Sequence, residues 1–423
     1  MRLIKDSPAL FTDLYELTMA QVYFERKLNE RAHFEVTIRK LPEHWGFFVM
    51  AGLFEVESYL SEFQFTEDDI DYLRSTKIFS YDFLTYLTGL RPEVSIRCLP
   101  EGTVFFPNEP VFELSGPLIC AQLMESYILN ILGFSIIEAT LAARVSLAAK
   151  DVAVIDFGLR RSQGPMASLR SARAAQMAGF RATSNVFAAR VLDFTPAGTM
   201  AHSFIEVHDS EEQAFINFAN TFSEKTILLV DTYDSIEGIK KAAKVAKQVY
   251  NERGVKLRGI RLDSGDLVEL SEYARKYFEE NGVGFLKIFA SGDLDEFRIA
   301  KLLKAGAPID GFGIGTRFAV SRAAPSVQIV YKIIRYGDKD LLKTSPGKES
   351  RPGLKSIIRI KDELYQKDIV SSLQTDEQDL LKPFKSAEKI QTIRKRLSIE
   401  LSLLDDSVKS IRNPHKYTVE FKS

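Results

Sequence analysis

Short apolar runs recur between residues 151 and 318, and each run stops at a cluster of Asp, Ser, Gly, Arg or His residues. Most of these clusters are followed by helix-like sequence. Strand-length runs that alternate with helical segments predict parallel βα units. The runs occupy residues 152–157, 227–230, 257–262, 286–290 and 312–314.

The segments between these runs have the periodicity of amphipathic helices, most clearly at 237–253 and 267–281. Gly254, Gly282 and Gly306 each stand where a helix should stop before the next strand. The pattern is typical of an α/β barrel, in which the loops after the strands build the active site. Polar clusters at several consecutive strand ends therefore indicate an enzyme.

The patterns of helix-like and strand-like sequence divide the chain into three zones, which we predict to span residues 1–125, 126–325 and 326–423. The first is an α+β region, the second carries the βα units, and the third ends in charged helix. In the first zone we predict helices at 12–26 and 54–63 and strands at 34–38, 94–98 and 111–114. The last zone begins with 327–335, passes through a Gly/Pro/Lys segment at 343–355 and ends in charged helix, which we predict at 386–401.

Charge and cysteine content limit the possible partners and compartments. The chain of 423 residues has 56 basic and 57 acidic side chains, so no general attraction to nucleic acid or anionic membranes is expected. Two cysteines, Cys98 and Cys120, are too few for a disulfide framework or a four-cysteine zinc site. Charged residues interrupt the most apolar region, 127–154, which therefore predicts core helix plus strand rather than a membrane span. We expect a cytoplasmic protein.

The strand-end clusters favour a substrate that carries phosphates and a sugar. Asp263 could accept hydrogen bonds from ribose hydroxyls while Arg261 meets a phosphate, although Asp263 or Ser264 could equally cap the helix that follows. The segments 291–293 and 313–316 leave backbone N–H groups uncovered beside Arg261 and Arg317, which suits phosphate oxygens.

The polar clusters, taken in order, resemble nicotinate phosphoribosyltransferases, and the resemblance spans nearly the whole chain. The C-terminal element 345–355 looks like the family's Gly-Lys…Pro-Gly-x-Lys segment. The other matching pieces are FTDLYELTMA at 11–20, 34–42 with Arg39, DFGLRR at 156–161, ATSNV at 182–186, GTMAHS at 198–203, VDTYD at 230–234, RLDSGD at 261–266 and GIGT at 313–316.

The resemblance implies transfer of the 5-phosphoribosyl group from phosphoribosyl pyrophosphate to nicotinate, with coupled ATP hydrolysis, in NAD salvage. It also implies an irregular, TIM-like α/β barrel beside an α/β sandwich domain that the N- and C-terminal segments form together. Such proteins are usually homodimers with shared active sites. Asp13, Tyr15 and Arg39 would then reach the partner's barrel, with Asp13 and Arg39 near the phosphoribosyl group.

The same resemblance assigns the nicotinate pocket. Phe157 matches the stacking residue, Arg160 the adjacent anion-facing residue, and Tyr15 of the other subunit would close the sandwich. Ser184 stands where the related nicotinamide enzymes have an aspartate. An aspartate about 4 Å from the substrate carboxylate would repel it by roughly 4 kcal/mol, so serine predicts nicotinate over nicotinamide.

His202 matches the histidine that ATP-coupled members phosphorylate, and His208 is its nearest competitor. The resemblance places Asp263 and Arg261 at the ribose. It also implies Mg²⁺ that arrives with phosphoribosyl pyrophosphate and ATP, without a dedicated metal site on the protein. Asp231 and Asp234 are possible helpers that could equally be helix caps. The residues expected to cradle the 5-phosphate are Gly292, Gly313, Gly315 and Thr316.

Several alternatives remain open at this point. They are a nicotinamide or quinolinate phosphoribosyltransferase of the same fold, a sugar-phosphate aldolase barrel, and a catalytically silent metabolite-binding relative. An aldolase would require a catalytic lysine at a strand end, and the polar clusters from 156 to 317 contain none. Arg181 stands where many relatives have a smaller or acidic residue, and Leu159 occupies a variable position, so the resemblance does not fix the details of the pocket.

Overall fold

The computed structural model describes residues 8–343, 351–373 and 378–422. The chain folds into two compact units, one formed by residues 1–140 together with 326–423, and the other by residues 141–325. The predicted element 345–355 lies outside the described residues up to position 350.

The N-terminal segment alternates helices and strands. After a 3₁₀ turn at Pro8–Leu10, the elements are α1 (Leu14–Glu25), β1 (Arg31–Ile38), β2 (Phe48–Val49), α2 (Leu53–Glu62), α3 (Glu67–Ser75), α4 (Tyr81–Gly89), β3 (Ser95–Cys98), β4 (Val104–Phe105), β5 (Phe112–Pro117) and α5 (Leu118–Leu123).

A long helix, α6 (Glu125–Ala149), leads into the βα units. These comprise β6 (Ala153–Asp156), α7 (Pro165–Met177), β7 (Ala182–Thr183), α8 (Val186–Val191), α9 (His202–Glu206), α10 (Glu211–Phe222), β8 (Ile227–Leu229), α11 (Ser235–Arg253), β9 (Gly259–Leu262), α12 (Leu267–Glu280), β10 (Lys287–Ala290), α13 (Glu296–Lys304), β11 (Gly311–Ile314) and α14 (Thr316–Ala319). Short 3₁₀ turns lie at Leu159–Arg161 and Ser223–Lys225.

The C-terminal segment is mostly strand. It contains β12 (Ile329–Tyr336), β13 (Lys339–Asp340), β14 (Lys355–Lys361), β15 (Tyr365–Ser372), β16 (Lys382–Pro383), α15 (Ile390–Leu403), α16 (Asp406–Lys409) and β17 (Thr418–Phe421).

In the second unit the strands form a curled parallel sheet of the order β7-β6-β11-β10-β9-β8, which confirms the predicted α/β barrel class. The glycines predicted to stop helices do so in the left-handed region, with φ of 68° at Gly254, 76° at Gly282 and 79° at Gly306. Glycine adopts this conformation without the steric penalty that a β-carbon brings. Each glycine therefore lets the chain turn from a helix towards the next strand.

In the first unit, strands from both ends of the chain share one sheet of the order β13-β12-β1-β5-β3-β16. The central strand β1 pairs antiparallel with β5 on one side and with β12, almost 300 positions later in the chain, on the other. The smaller sheet β14-β15-β17 is built by the C-terminal segment alone. The N- and C-terminal segments thus form one domain together, as the resemblance implied.

Helix α6 is long and apolar enough to cross a membrane by composition, and it is the one such helix among the residues that the structure describes. However, 83% of its most apolar window is buried inside the protein. It packs as core, in agreement with the prediction for 127–154.

In the first unit a buried ion pair joins the N-terminal segment to the C-terminal segment. Lys355 Nζ donates to Glu35 Oε2 over 2.7 Å, and these side chains are 6% and 5% exposed. The same ammonium donates to the carbonyls of Arg351 and Gly353. Burial raises the pKa of Glu35, and the charge of Lys355 counteracts this. The pair stabilises the fold, because a buried charge without a partner lowers the free energy of unfolding.

We predict that Lys355→Met lowers the free energy of unfolding by about 3 kcal/mol, because Glu35 then stays buried without its cation. The measurement is urea denaturation of the variant and the parent protein. Lys367→Met is the matched control, since its pair with Glu420 is 37% and 42% exposed and should contribute less than about 1 kcal/mol. Equal losses in the two variants would contradict the prediction.

Candidate active site

The carboxyl ends of the parallel strands bring most of the predicted site residues of the second unit to one edge of the sheet. Neighbouring parallel strands run in the same direction, so residues that follow them meet at this edge. The residues that follow each strand are Phe157 after β6, Ser184 after β7, Asp231 and Thr232 after β8, Asp263 after β9, Ser291 and Gly292 after β10, and Gly315 after β11.

The Arg261 guanidinium connects several of these loops. Its Nε donates to Ser291 Oγ and its Nη1 to Thr199 Oγ1, both over 2.9 Å, and its Nη2 donates to Asp263 Oδ1 over 2.9 Å. The side chain is 17% exposed. Arg261 therefore fixes the geometry of the edge as well as supplying a positive charge there.

Asp263 keeps one carboxylate oxygen for a ligand. Arg261 and Ser291 both bond to Oδ1, whereas Oδ2 has no hydrogen bond to the residues that the structure describes. Burial alone would raise the pKa of Asp263, but the Ser291 hydrogen bond and the Arg261 charge outweigh it and hold that pKa below its ordinary value. Asp263 is thus an anion with a free acceptor at the rim.

The acidic residues near Asp263 have different tasks. Asp234 caps α11 by accepting from Glu237 N over 2.9 Å, and Asp266, not Asp263 or Ser264, caps α12. Asp231 caps no helix: its Oδ2 accepts from Asp263 N and Ser264 Oγ over 3.2 and 2.5 Å. Its Oδ1 is buried and has no partner in the described part of the chain. Asp231 therefore joins the loops after β8 and β9.

His202 is the first residue of α9, and its ring is held from the loop after β8. Nδ1 lies 3.1 Å from Thr232 Oγ1, and the side chain is partly exposed. His208, the competing histidine, lies just after α9 and bonds through Nδ1 to the carbonyl of Phe204 in that helix. The His202 ring thus has one nitrogen fixed by a hydroxyl and the other available to a ligand.

Phe157 packs its ring against β11, where glycine leaves the space for it. A β-carbon at Gly313 would lie 2.4 Å from the Phe157 ring. The Arg261 guanidinium lies over the same ring, 5.6 Å from its centroid. Just before the ring, buried Asp156 accepts from Gly158 N and Thr183 Oγ1 over 2.8 and 2.7 Å. The aromatic ring is therefore held in place on a rigid turn.

Ser184 and Arg160 are the less constrained members of the predicted pocket. Ser184 N donates to the carbonyl of Asp156 over 2.7 Å, which places the serine beside the end of β6. Its hydroxyl forms no hydrogen bond among the described residues. Arg160 lies in the 3₁₀ turn after Phe157 and is exposed, and within the described ranges its guanidinium has no ion pair.

The predicted phosphate cradle is strongly shaped by glycine. Gly292 has a φ of +91°, and a β-carbon there would lie 1.9 Å from the Asp263 carbonyl oxygen. Gly315 and Thr316 form the turn into α14. Arg317, expected to face anions, instead donates to Asp295 and Asp293 over 2.6 and 2.5 Å. Its Nη1 and Nη2 are therefore occupied by these two carboxylates.

Asp13, Tyr15 and Arg39 lie in the first unit. Asp13 precedes α1 but does not cap it, because its Oδ2 accepts from Ser126 Oγ over 2.6 Å. Tyr15 is 49% exposed, and Arg39 follows β1. Their predicted approach to a partner's barrel stays a prediction.

Thr232, Ser291, Thr199 and Asp156 were not given site roles from the sequence. Each acts through a hydrogen bond to a predicted residue or its neighbour, and such contacts join positions up to 62 apart in the chain. Their position at or near strand ends is the sequence feature that could have identified them. Among the described residues no group of three or more His, Cys, Asp or Glu side chains could hold a metal ion.

The sequence matches two family models. Residues 10–133 match the nicotinate phosphoribosyltransferase (NAPRTase) N-terminal domain, and residues 152–347 match the nicotinate phosphoribosyltransferase (NAPRTase) family. In fold, the chain is similar to human nicotinic acid phosphoribosyltransferase, with a TM-score of 0.85 at 24% identity over 97% of this chain and 98% of that one. It is also similar to nicotinate-nucleotide pyrophosphorylase from Pyrococcus furiosus, with a TM-score of 0.76 at 26% identity over 94% and 96% of the two chains.

Two bacterial relatives match at higher sequence identity. The chain is 45% identical over 351 residues to a nicotinate phosphoribosyltransferase of Mycobacterium tuberculosis. This alignment covers 83% of this chain and 75% of the relative. It is 39% identical over 363 residues to nicotinate phosphoribosyltransferase of Bacillus subtilis, over 84% of this chain and 74% of the relative. The chain therefore belongs to the nicotinate phosphoribosyltransferase family.

Proposed function

We propose that this protein transfers the 5-phosphoribosyl group from phosphoribosyl pyrophosphate to the ring nitrogen of nicotinate, with release of pyrophosphate and coupled hydrolysis of ATP. The reaction would serve NAD salvage. The observation that carries the proposal is the arrangement of a fixed aromatic ring, Phe157, beside a paired but ligand-accessible Asp263. Family membership supplies the substrate class.

Nicotinate is a flat aromatic ring with a carboxylate. In this proposal the ring stacks on Phe157, and the free guanidinium of Arg160 and the unpaired hydroxyl of Ser184 bind the carboxylate. Tyr15 of a second copy in a homodimer would cover the other face, with Asp13 and Arg39 near the phosphoribosyl group. Each member of the acceptor site would then contact a different part of the substrate.

The ribose would bind at Asp263, whose free Oδ2 accepts from a sugar hydroxyl. As pyrophosphate leaves, C1 of the ribose gains positive character, and a carboxylate that stays ionised stabilises it. Arg261 keeps this carboxylate in place. The 5-phosphate would lie against the backbone of Gly292, Gly313, Gly315 and Thr316. The main contribution of the protein is therefore alignment of the ring nitrogen with C1.

Mg²⁺ fits this edge of the sheet as an ion carried in by the substrates. Mg²⁺ is commonly held by one or two carboxylates together with substrate phosphates, and the buried, unpartnered Asp231 Oδ1 and the free Asp263 Oδ2 are suitable oxygen donors. When bound, the ion would neutralise charge on the leaving pyrophosphate.

ATP coupling would use His202 as a nucleophile. If Nδ1–H donates to Thr232 Oγ1, the lone pair of Nε2 is left to attack the γ-phosphorus of ATP, and ADP leaves with the bonding electrons. Hydrolysis of the N–P bond later restores the neutral imidazole and releases phosphate. Thr232 is then a positioning residue that holds the ring with Nε2 towards the ligand.

The test of the proposed function combines purified protein, phosphoribosyl pyrophosphate and Mg²⁺ with nicotinate, nicotinamide or quinolinate, each with and without ATP. Chromatography resolves the mononucleotide products. We expect nicotinate mononucleotide to form preferentially, and faster with ATP. Preferential use of another acceptor would overturn the pocket assignment, and no transfer to any of them would favour a silent metabolite-binding protein.

We predict that Ser184→Asp lowers kcat/KM for nicotinate by roughly a thousandfold, because a carboxylate about 4 Å from the substrate carboxylate costs about 4 kcal/mol. Steady-state kinetics with nicotinate provide the measurement. Ser184→Asn is the matched control, since asparagine has nearly the shape of aspartate without its charge, and it should retain most of the activity. Full nicotinate efficiency in the aspartate variant would refute the assignment.

We predict that His202→Ala abolishes ATP hydrolysis that depends on turnover, because the nucleophilic nitrogen is lost, while some ATP-independent transfer remains. The measurement compares ADP and nicotinate mononucleotide formed in the same reaction. His208→Ala is the control and should keep the coupling, as its ring bonds only to Phe204 among the described residues. A coupled His202→Ala enzyme would show that another group accepts the phosphoryl group.

We predict that Thr232→Val reduces the rate of His202 phosphorylation about fivefold, the effect of one hydrogen bond worth about 1 kcal/mol. Transfer of radiolabel from γ-labelled ATP to the protein is the measurement. Thr232→Ser keeps the hydroxyl and should restore the rate. If valine and serine behave alike, the hydroxyl does not position the ring for phosphorylation.

A further inference from the structure

A cavity of about 190 Å³ lies within the second unit, on the side of the sheet opposite to Phe157. Ile314 lines it, whereas the adjacent Gly313 contacts the Phe157 ring, and successive residues of a strand point to opposite faces. The cavity is therefore separate from the proposed nicotinate and ribose pockets. The other apolar side chains of its lining are Leu141, Val145, Leu294, Phe297, Phe318 and Ala323.

The interior of this cavity is apolar and its walls are well packed. Five apolar side chains of the wall are 0–2% exposed, whereas Phe297 is half-buried and Arg322 and Ala323 are exposed. The cavity therefore has a packed apolar floor and a mouth that opens to solvent. An apolar cavity of about 150 Å³ is large enough to bind benzene. A ligand with an apolar body of about six carbons would fit the cavity.

The carboxylates at the cavity already have partners. Asp295 accepts from Arg317 Nη1 and from the backbone N–H of Arg298 over 2.6 and 2.8 Å. Glu296 pairs with Arg144 over 3.2 Å, with both side chains at most 2% exposed. These acceptors are therefore not available to recognise a ligand that donates hydrogen bonds.

Donors, in contrast, remain at the cavity. Arg317 Nε is buried and has no hydrogen-bond partner among the described residues, although Nη1 and Nη2 of the same guanidinium are paired. Arg322 also lines the cavity, is exposed, and makes no side-chain hydrogen bond in the described ranges. The complement to two guanidinium donors is a group that only accepts, such as a carboxylate.

We infer that this cavity is a second ligand site, which binds a small aliphatic carboxylate with its chain among the apolar walls and its carboxylate at Arg317 and Arg322. Short-chain fatty acids have this chemistry. The ligand would touch Arg317 and Phe318 of α14, the helix that begins at Thr316. Ligand binding is thereby linked to the predicted 5-phosphate cradle, a consequence that rests on the proposed function.

The experiment titrates hexanoate into the protein without substrates and measures the heat of binding. We expect one site per chain with a Kd on the order of 0.1–1 mM, which is appropriate to so small a ligand. Hexanol, with the same chain length and no charge, should bind at least about tenfold more weakly, because it cannot engage both guanidiniums. Equal binding of the two would overturn the assignment of a carboxylate site.

Two variants locate the binding without disturbing the core. Ala323 is an exposed residue of the cavity lining, so Ala323→Leu should obstruct the entrance, and Arg322→Gln should remove the outer cation. Each should weaken hexanoate binding at least about tenfold. Lys301→Gln, on the exposed side of α13 and away from the cavity lining, is the matched control and should bind as the parent does. Binding that survives both cavity variants would place hexanoate elsewhere and overturn the proposal.

The link to the cradle is tested separately. Saturating hexanoate should change the KM for phosphoribosyl pyrophosphate at least threefold in the parent, and not in Ala323→Leu. An unchanged KM with confirmed binding would overturn the link while leaving the site. If the protein forms no nicotinate mononucleotide, the same titration can follow binding of phosphoribosyl pyrophosphate, so failure of the proposed function and failure of the second site remain distinguishable.

Discussion

The Arg261 guanidinium is the interaction on which the candidate site depends. It bonds simultaneously to the end of β10 through Ser291, to the loop before α9 through Thr199, and to Asp263 after its own strand. A planar guanidinium with five N–H donors in fixed directions can hold three such partners at once. A lysine at this position would supply the charge without the geometry. The positions of Asp263 and of the segment that leads to His202 therefore depend on one side chain.

Close approach of the backbone is the second constraint. Gly313 gives the Phe157 ring its place against β11, and Gly292 allows the loop after β10 to pass against the Asp263 carbonyl. In both cases a β-carbon would occupy space that a site residue or its backbone already fills. The glycines that were predicted to expose amides to phosphate thus also perform a packing task. One residue type meets both needs because it lacks a side chain.

Much of the barrel could be predicted because its order is local. Each βα unit has its apolar run, its polar cluster and its amphipathic helix within a short stretch, and Gly254 and Gly282 mark the helix ends. The pairing of β1 with β12 joins positions far apart in the chain, so periodicity could not reveal it. Which of several acidic residues caps a helix was also undetermined, because Asp231 and Asp234 look alike in sequence. The turn geometry makes Asp234 the cap and leaves Asp231 to join two loops.

The protonation state of Asp263 connects this geometry to chemistry. Its pKa lies below the ordinary value because the Ser291 hydrogen bond and the Arg261 charge outweigh the effect of burial. A carboxyl group whose pKa falls on folding stabilises the folded state above its unfolded pKa, and that contribution is lost as the pH falls through the folded pKa. At neutral pH the network is therefore both stabilising and fully charged. In the proposed reaction the same negative charge faces C1 as positive character develops there, without any proton transfer to or from Asp263. Because the anion is already held by its partners before substrate binds, little reorganisation is needed at the moment of reaction.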